Sequence, residues 1–509
     1  MDLGVDFGTT RTITAIADRG NYPVVGLTDP LGDSHDWFPS VVALSGGRLV
    51  HGFEALAAAE EGAPMLRSFK RLLAAPDFGP ETLVRLGDAA FPAVGVLESH
   101  LRALKTALVE SGIDWEDVES TVIAVPAHAH GAQRFWTLES FRRAGFPVTA
   151  MMNEPSAAGF EYTHRQSRTL SSKRTRLIVY DLGGGTFDAS LIKADGTAHE
   201  VIDSLGVNAL GGDDFDRVLA TLAVGAAQAS GASTPGTTGS PLDALPAGEL
   251  EELLLACREA KERLTPQTRR IALEVGGDVV MVGVNDFYAA ATPLVEESLT
   301  AMLPLLGGLD AESADLSEVA GIYLVGGGSG LPLVPRLLRE RFGRRVHRSP
   351  YPAASTAIGL AIAADAQSGF SLTEKLSRGF GVFREISDGR ALGFDAILDR
   401  SLTVPDQGEQ VVVRRYRARH NVGDFRFVEY AQLDPSGHPA GDIVPFGRIV
   451  FPFDTALQEQ SAELPIPVER RHEGPEVEER YVIDRNGIVT VRITDLDTGF
   501  AVEESLAHS

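Results

Sequence analysis

Two short segments repeat one arrangement of residues suited to phosphate chemistry. Gly4-Val5-Asp6-Phe7-Gly8-Thr9-Thr10 grows out of an apolar run. Asp181-Leu182-Gly183-Gly184-Gly185-Thr186-Phe187-Asp188 follows another, Leu177-Ile178-Val179-Tyr180. Each places an aspartate at a strand end, then glycine, then threonine. Glycine permits the tight turns that aim backbone N–H groups at phosphate oxygens. A threonine hydroxyl adds a donor, and the aspartate can hold Mg2+ through water, since magnesium dehydrates reluctantly. One such loop alone is more often only a turn. Two of one design, far apart in the chain, suggest two related lobes gripping a phosphate chain between them.

A third glycine cluster, Gly326-Gly327-Gly328-Ser329-Gly330, follows the strand-like Ile322-Tyr323-Leu324-Val325. Its helix-like continuation holds Pro332, Pro335 and Leu337-Leu338. It could let the backbone approach a nucleoside. The spacings GxxxxGK[ST] and GxGxxG are absent, so this is neither a P-loop nor a dinucleotide fingerprint.

The elements that must position these loops alternate. From Met1 to about Ala364, short apolar runs alternate with amphipathic stretches such as Leu97 to Val109 and Leu250 to Leu264, which predicts an α/β domain. Gln228 to Gly248, rich in Gly, Ser, Thr, Pro and Ala, reads as a surface loop before a helix starting near Glu249. Texture changes after Asp365. Gln367-Ser368-Gly369 reads as a linker, and from Arg378 the chain is strand-rich: Gln410 to Tyr416, Phe425 to Tyr430, Tyr481 to Ile483, Ile488 to Ile493. Asp406-Gln407-Gly408, Pro435-Ser436-Gly437 and Asp484-Arg485-Asn486-Gly487 supply turns. That pattern predicts a β-sandwich of roughly 130 residues. The expected division is 1–366, a linker at 367–377, and 378–509.

A chain of 509 residues exceeds one ordinary core. Its formal charge of −24 argues against nucleic acid, which needs clustered Lys and Arg, and reads mainly as solubility. No apolar run reaches the roughly 18–20 residues of a membrane span. Met1 to Phe7 runs straight into strand-like sequence without the parts of a secretory signal, and Cys257 is the only cysteine. Together these predict a cytoplasmic protein with neither a membrane nor a nucleic-acid partner.

The three loops, in this order, resemble the actin-like ATPase superfamily, and the segments between them narrow the likeness to heat-shock protein 70 (DnaK-like) chaperones. Phe38-Pro39-Ser40-Val41-Val42 resembles the family's early strand. Phe69-Lys70-Arg71-Leu72-Leu73 resembles the segment with its catalytic lysine, and Val125-Pro126-Ala127 with Gln133-Arg134 its interdomain switch. Asn153-Glu154-Pro155-Ser156-Ala157-Ala158 and Leu210-Gly211-Gly212-Asp213-Asp214-Phe215-Asp216 match two further motifs. Ile483 to Val491 resembles the last strands of the family's peptide-binding sandwich. The chain ends near that point, so the resemblance implies a divergent, lidless member. The fold implied is a two-lobed, actin-like (ribonuclease H-like) ATPase domain followed by an all-β sandwich.

The resemblance implies roles. Asp6 and Asp181 order the Mg2+ hydration shell. Gly8, Thr9, Thr10, Thr186 and the Gly183, Gly184 and Gly185 backbone hold the phosphates. Lys70 stabilises charge on the γ-phosphate, and Glu154 and Asp188 position water and metal. Gly212, Asp213, Lys261, Thr265, Gly326, Gly327 and Gly328 complete the ATP/ADP site, while Pro126 and Arg134 relay nucleotide state. From the residues alone, Lys70 could equally be a solvated lysine, Glu154 a helix N-terminal charge, and Pro126 a strand end. His128 and His130 read as loop residues, with no third metal ligand nearby.

Three departures are visible. Arg258 occupies the family's ribose-binding Glu position. Gly330 stands where the family has an arginine on adenine. The linker, Asp365 to Lys375, offers only Phe370 and Leu372 as large apolar residues, which leaves coupling between the domains open. The implied function is slow, Mg2+-dependent ATP hydrolysis by a chaperone-like protein. Unfolded polypeptide, a J-domain co-chaperone and a nucleotide-exchange factor would be its partners. Two alternatives share the fold: a filament-forming or regulatory actin-like protein whose β domain docks a partner, and a metabolite kinase, for which no substrate base is evident.

Overall fold

The computed structural model describes residues 1–166, 170–171, 173–229, 241–307, 316–386, 391–458 and 467–504. The chain forms two compact units. One gathers Met1–Leu72, Leu83–Ala127 and Ser140–Leu372; the other gathers Leu73–Thr82, His128–Glu139 and Thr373–Ser509.

The first unit is α/β and holds two sheets of one design. In the first, the spatial order is Val148–Asn153, Ser120–Val125, Asp2–Phe7, Arg11–Ile16, Phe38–Pro39. Asp2–Phe7 pairs antiparallel with Arg11–Ile16 and parallel with Ser120–Val125. In the second, the order is Val346–Arg348, Val319–Val325, Arg176–Leu182, Phe187–Asp195, Ala198–Val207, Ser371–Thr373. Arg176–Leu182 pairs antiparallel with Phe187–Asp195 and parallel with Val319–Val325. Each phosphate-type loop is therefore the tight turn of a hairpin whose first strand is the buried, parallel-paired one. Such strands are covered on both faces and read as continuous apolar runs: every residue of Val319–Val325 is buried.

The Ser355–Ala364 helix (STAIGLAIAA) is apolar all round, and its buried residues run unbroken from Ser355 to Ile362. It lies against Asp2–Phe7 at Gly4, where an added Cβ would meet Ala361 N at 2.2 Å. A side chain there would separate sheet from helix. The two expected helices form at Ala93–Glu110, which extends past its apolar spacing at both ends, and at Ala247–Glu262, which starts earlier than expected and stops short of Leu264. Of the expected 228–248 loop, Gln228 and Ala229 end the Gly212–Ala229 helix, and residues 230–240 lie outside the described residues.

The sparse apolar content of the 365–375 segment proves sufficient for docking. Phe370 and Leu372, two apart, pack against an apolar cluster that includes Phe160 and Leu360, and the Ser371 N–H donates to Thr197 O at 3.1 Å. Extended chain puts alternate side chains on one face, so two apolar residues suffice while the backbone adds an edge strand.

The second unit is β-rich. One antiparallel sheet runs Ala391–Leu398, Gly379–Ile386, Val422–Leu433, Pro439–Pro452; the other runs Glu409–Arg417, Glu476–Asp484, Val489–Asp495, Ala501–Glu504. Phe380, Phe427, Phe451, Tyr481, Ile483 and Val491 form their shared core. The expected strands are all present. Phe425 and Phe427 face inward and are buried, so they are core aromatics. Inside the same unit the Gly131 N–H donates to both Glu429 carboxylate oxygens at 3.0 Å, and Arg134 donates to Asn486 O at 3.2 Å.

Candidate active site

The two hairpin turns meet. A Cβ on Gly184 would lie 2.6 Å from Thr10 Cγ2, and one on Gly185 would lie 2.9 Å from Thr9 Cγ2. The Leu210-Gly211-Gly212 segment backs the second loop: Gly212 N–H donates to Gly183 O at 2.9 Å and Asp213 N–H to Gly184 O at 2.8 Å. A Cβ on Gly211 would sit 2.5 Å from Gly185 N. The third cluster closes the same place. At Gly326, which needs a φ of +79°, a Cβ would strike Asp181 Oδ1 at 2.3 Å, and at Gly328 it would strike Leu182 O at 2.8 Å. By contrast, a Cβ on Gly327 would meet open space. Glycine is thus required at these positions so that three loops can converge as bare backbone, the surface a phosphate chain needs.

Charge is concentrated beside them. Lys70, in a 3-10 turn at Phe69–Ala74, is buried; its Nζ donates to Glu154 Oε1 at 3.0 Å and stands 5.5 Å from the centre of the Phe7 ring. Burial opposes its charge, but Glu154 and then Asp6 outweigh burial and hold the ammonium above its ordinary value. Glu154 opens the Glu154–Gln166 helix, so one position is both a helix N-terminal charge and the partner of Lys70. Burial first, then Glu154, raises the Asp6 and Asp181 carboxyls; Asp188 and Asp6 add to the rise at Asp181. Asp188 Oδ1 accepts the Ala127 N–H at 2.8 Å, just after Pro126 and the end of the Ser120–Val125 strand.

This crowd of carboxylates fits a hydrated divalent cation. Like charges push Asp6 and Asp181 toward protonation, which a nearby cation would relieve. Among the described residues no three His, Cys, Asp or Glu side chains converge to ligate one ion directly. Water-mediated contact with Mg2+ suits that donor set.

The nucleoside side differs from a simple pocket. Lys261 Nζ donates to Gly212 O at 2.6 Å and pairs with Asp216 at 2.7 Å. Buried Arg258 reaches Thr10 O and Glu262, each at 3.4 Å, and Glu262 also pairs with Arg11. Thr265 is not drawn to the phosphate loops; its hydroxyl lies 3.1 Å from that of Thr268 in an exposed turn. Beside Gly330, Arg348 Nη2 lies 3.5 Å from where a Cβ would stand. Sequence reasoning did not single out Arg11, Arg67, Ser68 or Arg71. Arg67 pairs with Glu251 at 3.1 Å, and Ser68 Oγ donates to Asp213 at 2.6 Å. The available signal was adjacency, since three of the four lie within three residues of Lys70.

Comparison with known proteins decides the family. The family model described as Hsp70 protein matches residues 80–377, more than half of the chain. The chain belongs to the Hsp70 family. Among curated relatives, the chaperone protein HscA of Serratia proteamaculans is 33% identical over 391 residues, covering 72% of this chain and 58% of its own length. The HscA homolog of Polynucleobacter asymbioticus is 31% identical over 389 residues with the same coverage. This Hsp70 chain therefore spans under two thirds of the length of the relatives it matches. Hsp70 membership implies the actin-like ATPase fold, with which the two repeated sheets agree. Among the described residues no helix is long and apolar enough to cross a membrane.

Proposed function

We propose that this Hsp70 protein binds ATP and ADP with Mg2+ and hydrolyses ATP slowly, acting as a cytoplasmic chaperone-like ATPase. The observation that carries the reading is the meeting of Thr9 and Thr10 with Gly184 and Gly185 beside the buried Lys70–Glu154 pair. In this reading the Gly8 and Gly183–Gly185 backbones, with Thr9, Thr10 and Thr186, orient the β- and γ-phosphates. Asp6 and Asp181 hold the hydration shell of Mg2+, which when bound neutralises phosphate charge. Glu154 fixes Lys70, whose ammonium stays protonated and faces charge developing on the transferring group. Asp188 orients water and ties the site to Ala127.

Curated relatives are chaperones by name, and by that likeness the β-rich unit is a sandwich that takes extended polypeptide, with a J-domain protein and an exchange factor as helpers. Its division from the nucleotide-binding part falls at the 367–377 segment. Phosphate release from the full chain with Mg-ATP, with and without a chelator, tests the enzymatic reading. Mg-dependent turnover that needs no added small molecule supports it over a kinase. A protein that neither binds Mg-ADP in calorimetry nor releases phosphate would sink it.

A further inference from the structure

Among the described residues, five basic side chains near the phosphate loops are committed. Lys70 is hydrogen-bonded to Glu154, Lys261 to Gly212 O, Arg67 to Glu251, Arg11 to Glu262, and Arg258 to Glu262 and Thr10 O. Arg71 is different. Its guanidinium lies 3.7 Å from Asp213 and 3.8 Å from Asp214, beyond hydrogen-bond distance. Both carboxylates already have closer partners: Ser68 Oγ donates to Asp213 at 2.6 Å and Gly211 N–H to Asp214 at 2.8 Å. Arg71 is thus held by two long ion pairs and hydrogen-bonded to neither acid.

Its stem lies where the phosphate loops meet. Arg71 Cδ is 3.1 Å from the Cβ position of Gly185, the same point that has Thr9 Oγ1 at 3.0 Å. The residue follows Lys70 directly in the Phe69–Ala74 turn, entered through Ser68 at a φ of +54°. One short, tightly specified turn therefore delivers two cations, one locked and one loose, to the same loops.

We propose that Arg71 is a second cation on the transferring phosphoryl group, an arginine supplied in cis that leaves Asp213 and Asp214 for the γ-phosphate oxygens. This rests on the ATPase reading above. In the step, a water oxygen bonds to the γ-phosphorus and the bond from that phosphorus to the β,γ-bridging oxygen breaks. ADP keeps the electron pair, and the water's proton leaves to solvent. Arg71 gains and loses no proton. It offers paired N–H donors whose hydrogen bonds strengthen as charge builds on the oxygens.

The test uses the full chain and single-turnover hydrolysis, with Mg-ADP affinity measured by calorimetry. Arg71→Ala should slow the chemical step by about 10²-fold or more, with Mg-ADP affinity kept within about threefold. Millimolar guanidinium ion should restore part of the rate in Arg71→Ala and nothing in the parent. Arg71→Lys keeps a point charge without the fork and should fall between the two; it carries the test if the alanine variant fails to fold. An unchanged rate, a matching loss of ADP affinity, or a slowed variant that guanidinium does not rescue would overturn the proposal. A parent protein that binds Mg-ADP but never turns over would instead fail the ATPase reading, and the proposal with it.

Discussion

Lys70 Nζ donates to Glu154 Oε1 across 3.0 Å, and with 6% and 12% of their side-chain surface exposed the two form an almost buried ion pair beside the glycine loops. Removing one partner leaves the other charge poorly solvated. Lys70→Ala should cost roughly 10²–10³ in turnover and also destabilise the ligand-free protein by about 3 kcal/mol. Single-turnover phosphate release and urea melts measure the two effects. Unchanged turnover would remove Lys70 from the mechanism.

Nucleotide choice should be loose. Arg258 is engaged with Glu262 and Thr10 O instead of offering a carboxylate, and position 330 carries no side chain. Calorimetric titration should show ATP favoured over GTP by less than about 4 kcal/mol, roughly 10³-fold. A larger preference would mean that other residues, Arg348 first among them, rebuild base recognition.

Acid should weaken the first unit through buried histidines. His51 and His199 have no hydrogen-bond partner for either ring nitrogen, and burial depresses both to about 4 from an ordinary 6.5. The folded state therefore binds fewer protons than the unfolded chain. Their contribution is fully present above pH 6.5 and is lost as pH falls toward 4, with a slope of about 1.4 kcal/mol per pH unit for each. The raised Asp6 and Asp181 carboxyls act with opposite sign, since the folded state there holds extra protons and loses stability as pH rises. Urea melts at pH 7 and pH 5 should show a flatter pH dependence for His199→Leu than for the parent; equal slopes would rule this histidine out.

Inside the β-rich unit, Glu479 is fully buried and accepts two hydrogen bonds from Arg384, at 2.6 and 2.5 Å, and one each from Tyr416 and Tyr481 at 2.6 Å. Glu479→Ala should destabilise that unit by about 3 kcal/mol, because it leaves two hydroxyls unpaired and Arg384 with only Asp395 as a partner. The double variant Arg384→Met/Glu479→Leu should recover much of the loss. A double variant as unstable as the sum of its singles would show that the pair is not coupled.

Much of the site was legible because its chemistry is local. Glycine, threonine and aspartate at fixed spacing after an apolar run favour a tight turn of bare backbone, and two such turns, a third glycine cluster and the Lys70 and Glu154 segments could be named from the sequence. Strands of the β-rich unit were legible for the same reason, since alternation and turn residues act over a few positions. Only tertiary structure decided which long-range partners each charge takes. Nothing near Arg258 in the chain announces Thr10. Likewise the 365–375 segment showed only Phe370 and Leu372 as large apolar residues, and it took the folded structure to show that these two and one edge-strand hydrogen bond place it. Turn propensity is set by neighbours in sequence, whereas ion pairing and burial depend on surfaces that folding brings together.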